Sequence, residues 1–466
     1  MCVRGRRGVR ASVIGMGPVH RRPLRRVAAA ILLTCVATAA ASGFRADAHR
    51  SDLATDWFDL YQTLVRETPG FSPPVAARAF AYAGVALYEA VVPALPGYRS
   101  LAGTLAGLAQ LPAPDPAGVY PPEVANAALA ALTRELFEGV RSKNAVVLDA
   151  LEARWTEIHA GATDAATIER SRQHGHALAV ALHDWAEADG GHLGQFANFD
   201  DAFRLPEGPG VWVPTPRAVG EPFPALQPHW GEVRPFALGG ADDCAPPPPP
   251  PYDETPGSRL HDEGLEVVAR VRGITPEERE IAQFWSDDGG ATATPAGHWF
   301  SILTHVLEAR GDTLGFAAEA YARLGMAVSD GFVRCWRTKF RDLYPRPITY
   351  VQRAIDPDWN RPTLTDPLLT PPFPEYTSGH SVVSAAAAEV LTALVGGDVG
   401  FVDHFHAPRG FAPRTYASFW EAAEEAALSR LVGGIHFRSA IEHGVDEGRC
   451  VAERVLALPL RDAGAR

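Results

Sequence analysis

Alanine-rich segments with helical periodicity recur along this chain and restrict it to a mainly helical fold. The first begins at Ser72, a capping residue followed by two prolines suited to a first helical turn, and apolar residues then recur at helical spacing from Val75 to Ala86. Similar segments occupy residues 122–137, 145–159, 165–188, 313–341, 381–395 and 418–432. Strand-like alternation is scarce, so the predicted fold class is all-α, built of helical bundles.

A proline- and glycine-rich stretch at about residues 190–257 separates two helical regions. It includes six consecutive prolines at 246–251. Because proline cannot donate a backbone hydrogen bond, we expect an ordered wrapping loop with a polyproline piece. The predicted organisation is an N-terminal helical half at 42–257, which includes this loop, and a C-terminal helical half at 258–466.

Residues 1–41 have the layout of a secretory signal peptide. They contain eight arginines and no acidic residue, and an apolar run from Val27 leads to a possible cleavage site at Ala39-x-Ala41. The run is too short for a transmembrane anchor. We therefore expect an exported protein, secreted or periplasmic, without a stable membrane span; the export route is left open.

Charge and cysteine content exclude two classes of site. The formal net charge is −12 although the arginine-rich start is included, so nucleic acid is not an expected partner. The mature chain would keep Cys244, Cys335 and Cys450, an odd number without metal-type spacing. Neither a disulfide framework nor a zinc site is predicted from them. Nothing in the sequence indicates the oligomeric state.

The first of three chemically suggestive segments is "KFRDLYPRP" at 339–347. Lys339 offers a compact ammonium and Arg346, seven residues later, a planar guanidinium. This pair suits a tetrahedral oxyanion, although a single lysine is more often a solvated surface group.

The second segment, "YTSGHS" at 376–381, stands at a predicted helix start. Thr377 or Ser378 can cap the helix, and Gly379 lets the backbone approach an anion closely. Free N–H groups at such a start bind anions, and His380 at its edge can exchange a proton near neutral pH.

The third segment, "SRLVGGIH" at 429–436, has Arg430 at a predicted helix end and His436 near the next helix start. Each of these histidines, taken alone, is more often structural. Three ordered segments that all supply groups for one anion indicate a common oxyanion site.

These segments resemble the pattern K-x6-RP, PSGH and SR-x5-H of the superfamily of vanadium-dependent haloperoxidases and type 2 phosphatidic acid phosphatases. Thr377 departs from the usual proline, and the long helical N-terminal half resembles the haloperoxidase branch. The resemblance implies vanadate as cofactor, with His380 as the acid–base residue and His436 as the axial vanadium ligand. It further implies that the oxyanion, vanadate or phosphate, is bound by Lys339, Arg346, Ser378, Gly379 and Arg430.

Two further positions concern the support of these histidines. "FWSDDGG" at 284–290 resembles a haloperoxidase segment whose aspartate orients the acid–base histidine, which implies Asp288 as a third catalytic residue; Asp287 is the less favoured choice, and a plain polar loop is the alternative. Ala440 stands where many relatives carry an aspartate, so support for His436 must come from Glu442, a backbone carbonyl or water.

The remaining histidines match no motif and are expected to be structural or on the surface, and the pair His404-x-His406 is too isolated to predict a metal site.

Three functions fit this resemblance. The first is an exported haloperoxidase that uses hydrogen peroxide to oxidise halide to a hypohalous species for a small organic acceptor. The second is an acid phosphatase that acts on a phosphate ester with His436 as nucleophile. The third is an exported binding protein without catalysis. The long N-terminal half, the Asp288 segment and Ala440 favour the first.

Phe373, seven residues before His380, is the expected halide-pocket residue. The chloroperoxidases that this chain resembles carry an aromatic apolar residue there, whereas many bromoperoxidases carry a histidine. A phenyl ring keeps the mouth of the site dry. We therefore expect bromide to be oxidised readily and chloride measurably, unless Phe373 only packs against the neighbouring helix.

Overall fold

The computed structural model describes residues 45–216, 221–359 and 368–462. The predicted signal peptide lies outside these residues. The helices of the described ranges are α1 (Asp52–Glu67), α2 (Pro73–Val91), α3 (Pro121–Leu136), α4 (Ser142–Ala160), α5 (Ala165–Glu187), α6 (Arg259–Arg272), α7 (Pro276–Phe284), α8 (Thr294–Arg310), α9 (Leu314–Asp342), α10 (Pro347–Ala354), α11 (Gly379–Val395), α12 (Phe419–Val432) and α13 (Arg438–Leu456). Two short strands, β1 (Phe401–Asp403) and β2 (Arg414–Tyr416), pair antiparallel. The predicted all-α fold class is confirmed.

Helix starts follow local sequence signals. Ser72 is the N-cap of α2, and prolines fill the first turn of that helix. The hydroxyl groups of Thr313 and Ser378 accept backbone N–H groups at the starts of α9 and α11. The predicted helical segments agree with α2, α3, α4, α5, α9, α11 and α12 to within a few residues.

The long helix α9 is buried along most of its length and packs against α2, α11 and α13. Its contact with α2 depends on glycine. A Cβ atom on Gly84 would lie 2.6 Å from the carbonyl oxygen of Tyr321, and one on Gly325 would lie 2.7 Å from the Cα atom of Ala81. Because α9 carries Lys339 near its end, this close crossing fixes one side of the predicted site.

Close packing also joins α13 to the start of α11. A Cβ atom on Gly448 would lie 2.1 Å from the carbonyl oxygen of Val382, and one on Gly444 would lie 3.0 Å from the carbonyl oxygen of Ser378. The N–H group of Ser378 donates to the carbonyl oxygen of Ala440, 2.9 Å away. The second predicted segment is therefore held directly against the helix that follows the third.

The proline-rich stretch is an ordered loop that packs on the C-terminal helices, as predicted. Within its described part, regular structure is limited to the short 3-10 helices Gly194–Phe196 and Trp230–Glu232. The hydroxyl group of Tyr344 donates to the carbonyl oxygen of Pro250 at 2.8 Å, and that of Tyr376 donates to Pro247 at 2.5 Å. The polyproline piece thus supports residues next to the predicted site.

A disulfide joins Cys244 in this loop to Cys450 in α13, 206 residues apart in sequence. The sequence analysis predicted no disulfide from these cysteines, and it missed this one. The odd number of cysteines concealed the pair, because Cys335 is a buried free thiol. Loop closure over such a long separation restricts the unfolded chain, so the bond stabilises the folded state.

The two predicted halves share one hydrophobic core, whose buried residues run from Ala46 to Leu460. The boundary at 257/258 stays a prediction. Within the described residues, one segment, Pro73–Ala94, is long and apolar enough to cross a membrane, but the apolar stretch that meets this test is entirely buried in the fold. It is therefore explained as a core helix.

The crossing of α2 and α9 predicts the effect of a single methyl group. Gly84→Ala forces the two backbones apart, so we expect it to lower the free energy of unfolding by about 1–3 kcal/mol. Gly240→Ala is the control, because Gly240 is exposed and no atom lies within 4 Å of the added Cβ. Thermal unfolding followed by circular dichroism measures both, and equal melting temperatures for the two variants would contradict the packing argument.

Candidate active site

A cavity of about 210 Å³ lies where the three predicted segments meet. Its lining includes Gly379, His380, Arg430 and His436, together with Phe373. The exposed Asp288 also lines it. The other predicted residues, Lys339, Arg346 and Ser378, are buried next to these groups. The structure thus brings the predicted site residues together around one cavity.

The tautomer of His436 is fixed by its neighbours. Its Nδ1 atom lies 2.8 Å from Oε1 of Glu375, and the same oxygen accepts the N–H group of Phe437 at 2.9 Å. Oε1 therefore acts as an acceptor, and Nδ1 of His436 carries the proton. The Nε2 atom keeps its lone pair and lies 3.1 Å from Nη1 of Arg346. An imidazole in this state can bind a metal or attack phosphorus through Nε2.

Glu375 is the functional residue that the sequence analysis missed. Glu442, one of the three suggested supports of His436, forms an ion pair with Arg438 instead. Ala440 contributes only its backbone carbonyl, to Ser378. The sequence did contain a feature that could have indicated Glu375: it is the acidic residue within the apolar, proline-rich run of residues 371–376.

Glu375 is itself an unusual buried acid. Burial raises the pKa of its carboxyl group to about 8, against the opposing charges of Arg346 and Lys339. Its Oε2 atom is buried and has no partner among the described residues. A proton on Oε2 leaves Oε1 as an acceptor, so His436 keeps the same tautomer in both protonation states of Glu375.

Arg346 has one guanidinium nitrogen to spare. Its Nε donates to the carbonyl oxygen of Phe373 at 3.0 Å, and its Nη1 donates to that of Ile435 at 2.8 Å. Its Nη2 is buried without a partner in the described structure. Burial lowers the pKa of Arg346 to about 10, so the group stays cationic at neutral pH. A buried donor of this kind suits an anionic ligand.

Lys339 lies beneath the segment that leads to Ser378. Its ammonium group donates to the carbonyl oxygens of Pro374, Glu375 and Thr377. Burial lowers the pKa of Lys339 to about 8. These three bonds use all the donors of an ammonium group. Direct contact of Lys339 with an oxyanion therefore stays a prediction. The positive charge of Lys339 still acts on the site, because it helps to lower the pKa of His436.

The side chains of Arg430 and His380 both lie next to the C-terminal end of α7. Arg430 Nη2 donates to the carbonyl oxygens of Trp285 at 2.7 Å and Ala282 at 3.2 Å. Burial, followed by the charge of Arg430, holds the pKa of His380 well below its usual value, while the charge of Asp287 acts in the opposite direction. Nε2 of His380 is buried and has no partner in the described residues.

The two candidate carboxylates have separate environments. Asp287 is buried and binds His298 and His406, although it also lines the cavity and its charge acts on His380. Asp288 lines the cavity with His380, and no hydrogen bond between these two described side chains is formed. The pairing of Asp288 with His380 stays a prediction, and Asp287 is committed elsewhere.

Ser378 and Phe373 complete the wall. The Ser378 hydroxyl accepts the hydroxyl of Ser381 at 2.8 Å, and Gly379 is the first residue of α11. The Phe373 ring packs against Trp336, with centroids 4.8 Å apart, and lies 5.0 Å from the Arg346 guanidinium carbon. Phe373 thus both lines the cavity and covers a cation.

The electrostatic balance of the site favours an anion. After burial, the charges of Arg346, Lys339 and Arg430 hold the pKa of His436 well below its usual value. Three acids are near the site: Glu375 contacts His436, and Asp287 and Asp288 line the cavity. Three buried cations, with an unpartnered arginine nitrogen, fit a multiply charged oxyanion such as vanadate or phosphate.

Comparison with known proteins identifies the family of the chain. The family model described as the VCPO second helical-bundle domain matches residues 319–461, which include all three segments. The fold is similar to the structure of a bacterial vanadium-dependent iodoperoxidase, with a TM-score of 0.79 and 33% sequence identity over 89% of this chain and 98% of that one. The chain belongs to the vanadium-dependent haloperoxidase family.

More distant haloperoxidases share the fold. The holo-type structure of a bacterial vanadium-dependent chloroperoxidase has a TM-score of 0.63 at 13% identity, covering 84% of this chain and 94% of that one. The apo-type structure has the same TM-score at 14% identity, covering 83% and 94%. A search of curated protein sequences found no significant match.

The contact of Glu375 with His436 predicts a loss of oxyanion affinity. Glu375→Ala removes the acceptor that fixes the tautomer, so we expect vanadate to bind about 10–100-fold more weakly. Glu375→Gln keeps an acceptor oxygen and should bind vanadate more tightly than Glu375→Ala does. Equilibrium dialysis with vanadium analysis measures both. Glu453→Ala, at an exposed position of α13, is the control, and wild-type affinity in Glu375→Ala would contradict the assignment.

Proposed function

We propose that this protein is a vanadate-dependent haloperoxidase that oxidises halide ions with hydrogen peroxide and passes the hypohalous product to a small organic acceptor. The observation that carries the proposal is His436 Nε2, which Glu375 keeps as the unprotonated ring nitrogen in a cavity surrounded by buried cations, where it accepts a hydrogen bond from Arg346 Nη1. Membership of the haloperoxidase family gives this geometry its chemical interpretation.

The residues of the site would share the binding of vanadate. Arg346 and Arg430, with the hydroxyl of Ser378 and the backbone at Gly379, would hold its oxygen atoms, and the charge of Lys339 would offset its negative charge. His436 Nε2 would be the protein ligand to vanadium. Bound vanadate acts as a Lewis acid towards hydrogen peroxide without changing its own oxidation state.

His380 is the proposed acid–base residue. Oxidation of a halide by hydrogen peroxide consumes one proton and gives a hypohalous acid and water. His380 is neutral at the pH of most assays, because burial and Arg430 lower its pKa, so its unpartnered Nε2 can accept a proton and return it. A negatively charged ligand beside it would raise its pKa towards the working range.

An acid phosphatase is the second candidate, and one observation favours it. The absence of an aspartate at Ala440 argues against a histidine nucleophile only if His436 lacks support. Glu375 supplies that support and leaves Nε2 unprotonated, so Nε2 can attack phosphorus once it exchanges its hydrogen bond from Arg346 for the substrate. The two activities therefore have to be separated by assay.

The test measures both activities on the same preparation. After reconstitution with vanadate, we expect peroxide-dependent oxidation of iodide and bromide, and slower oxidation of chloride at mildly acidic pH. Hydrolysis of a phosphate monoester is measured in parallel on the vanadate-free protein. His436→Ala should abolish halide oxidation. Fast ester hydrolysis without oxidation of any halide would contradict the proposal and establish the phosphatase.

We also propose that the protein is exported. The signal-like start of the sequence motivates this, and the disulfide between Cys244 and Cys450 supports it, because structural disulfides are typical of oxidising compartments. N-terminal sequencing of the protein recovered outside the cytoplasm tests the cleavage after Ala41. A mature protein that retains residues 1–41 would contradict it.

Halide selectivity is predicted to depend on Phe373. Phe373→His replaces an apolar ring beside Arg346 with a polar one and admits water to the cavity, so we expect chloride turnover to fall more than bromide turnover. Steady-state rates with each halide at matched pH measure the difference. Phe196→His is the control, since Phe196 is exposed and does not line the cavity. Equal losses with both halides would make Phe373 a packing residue only.

A further inference from the structure

A chain of buried titratable groups lies behind the loop that carries Asp288. His298 Nδ1 lies 3.0 Å from Asp287 Oδ2, and His298 Nε2 lies 2.6 Å from Asp403 Oδ2. His406 Nε2 lies 3.1 Å from Asp287 Oδ1. The side chains of these four residues have no solvent exposure. The proposed catalysis uses none of the four.

The geometry determines where the protons are. Both ring nitrogens of His298 face carboxylate oxygens, and a neutral imidazole has only one N–H group to offer. Asp287 also receives a hydrogen bond from His406, and Asp403 receives one from the N–H group of Phe405 at 2.9 Å. Both carboxylates are therefore stabilised in their charged form. His298 is then an imidazolium held between two anions.

The surroundings of His298 favour the same charge state. The rings of Trp285 and Phe405 stack on it, with centroids 4.3 Å and 4.4 Å away. Aromatic faces attract cations. Although burial alone lowers the pKa of His298, the charges of Asp287 and Asp403 raise it to about 10.

Asp287 has a backbone conformation that side chains rarely adopt. Its φ angle is +50°, in the left-handed region, where aspartate is tolerated better than most residues. Its bonds to His298 and His406 hold it there. The turn that results directs the carbonyl group of Trp285 to Arg430 and puts Asp288 into the cavity wall.

We propose that His298 is a positioning residue of the active site: as an imidazolium between Asp287 and Asp403, it holds the turn at 285–288 in the conformation that presents Asp288 to the cavity and the Trp285 carbonyl to Arg430. The consequence for halide oxidation rests on the proposed function, whereas the charge state of His298 does not. The charged or titratable groups around it are Asp287 from the turn, Asp403 from β1 and His406 from the segment after β1, with His380 and Arg430 beyond the turn.

A bound metal ion is the competing explanation for these groups, because ligand atoms of Asp287, His298 and His406 lie within 4.8 Å of one another. The contact of Arg409 argues against it. Nη1 of Arg409 lies 3.2 Å from Nδ1 of His406 and can only donate to it. The proton of His406 is therefore on Nε2, directed at Asp287, where a metal would need a lone pair.

The charge state is tested by nuclear magnetic resonance on protein with ¹⁵N-labelled histidine. At pH 8 we expect His298 to show two protonated ring nitrogens, with the signal assigned by its loss in His298→Gln. A neutral ring at this pH would overturn the proposal. So would one equivalent of zinc, or another divalent metal, that survives dialysis and perturbs the His298 signals. Neither outcome depends on which reaction the enzyme catalyses.

The positioning role is tested with Asp403→Asn, which keeps the shape of the side chain but removes one of the two anions. The pKa of His298 should then fall towards its ordinary value of about 6.5. We expect halide oxidation, relative to wild type, to be at least about tenfold lower at pH 8 than at pH 5.5, where His298 is protonated again.

Asp398→Asn is the matched control, because Asp398 is exposed and lies five residues before Asp403. It should leave the pH dependence unchanged. A loss in Asp403→Asn that is equal at both pH values would reduce the network to a structural role and overturn the proposal. If the wild type oxidises no halide, the proposed function fails, and the nuclear magnetic resonance result still decides the charge state of His298.

Discussion

The burial of three cations beside one cavity is the constraint on which the site depends. Lys339, Arg346 and Arg430 are almost fully buried. Backbone carbonyl groups satisfy most of their donors: residues 374–377 bind Lys339, Phe373 and Ile435 bind Arg346, and the end of α7 binds Arg430. Each cation therefore joins its own part of the chain to another segment of the site. Carbonyl dipoles offset only part of the charge, so a net positive potential remains for an oxyanion.

Glu375 and His298 are two further buried groups that support the site, and they lie on different sides of the cavity. Glu375 supports the proposed vanadium ligand from one side of the cavity and uses an acceptor oxygen, not necessarily a full negative charge. His298 supports the acid–base side through the turn at Asp287. The site is thus held by two independent buried contacts, one for each of the two histidines that the sequence motifs indicated.

The features that could be predicted from the sequence are those that short-range sequence patterns encode. Helical periodicity and capping residues located most of the helices, and spacing within three short segments located Lys339, His380 and His436. Contacts between distant segments were not predictable in this way. Cys244 meets Cys450, and His298 meets Asp403, only because the helices pack as they do. Glu375 was next to a motif, but its role required the folded position of His436.

The central claim is that His436 Nε2 is the protein ligand to vanadium. Vanadium K-edge X-ray absorption of the vanadate-loaded protein tests it directly, because it reports the atoms bound to the metal whether or not turnover occurs. We expect one nitrogen ligand with the outer-shell scattering of an imidazole ring, and we expect it to be absent from His436→Ala exposed to the same vanadate. An oxygen-only environment in the wild type, or an unchanged imidazole signal in His436→Ala, would contradict it.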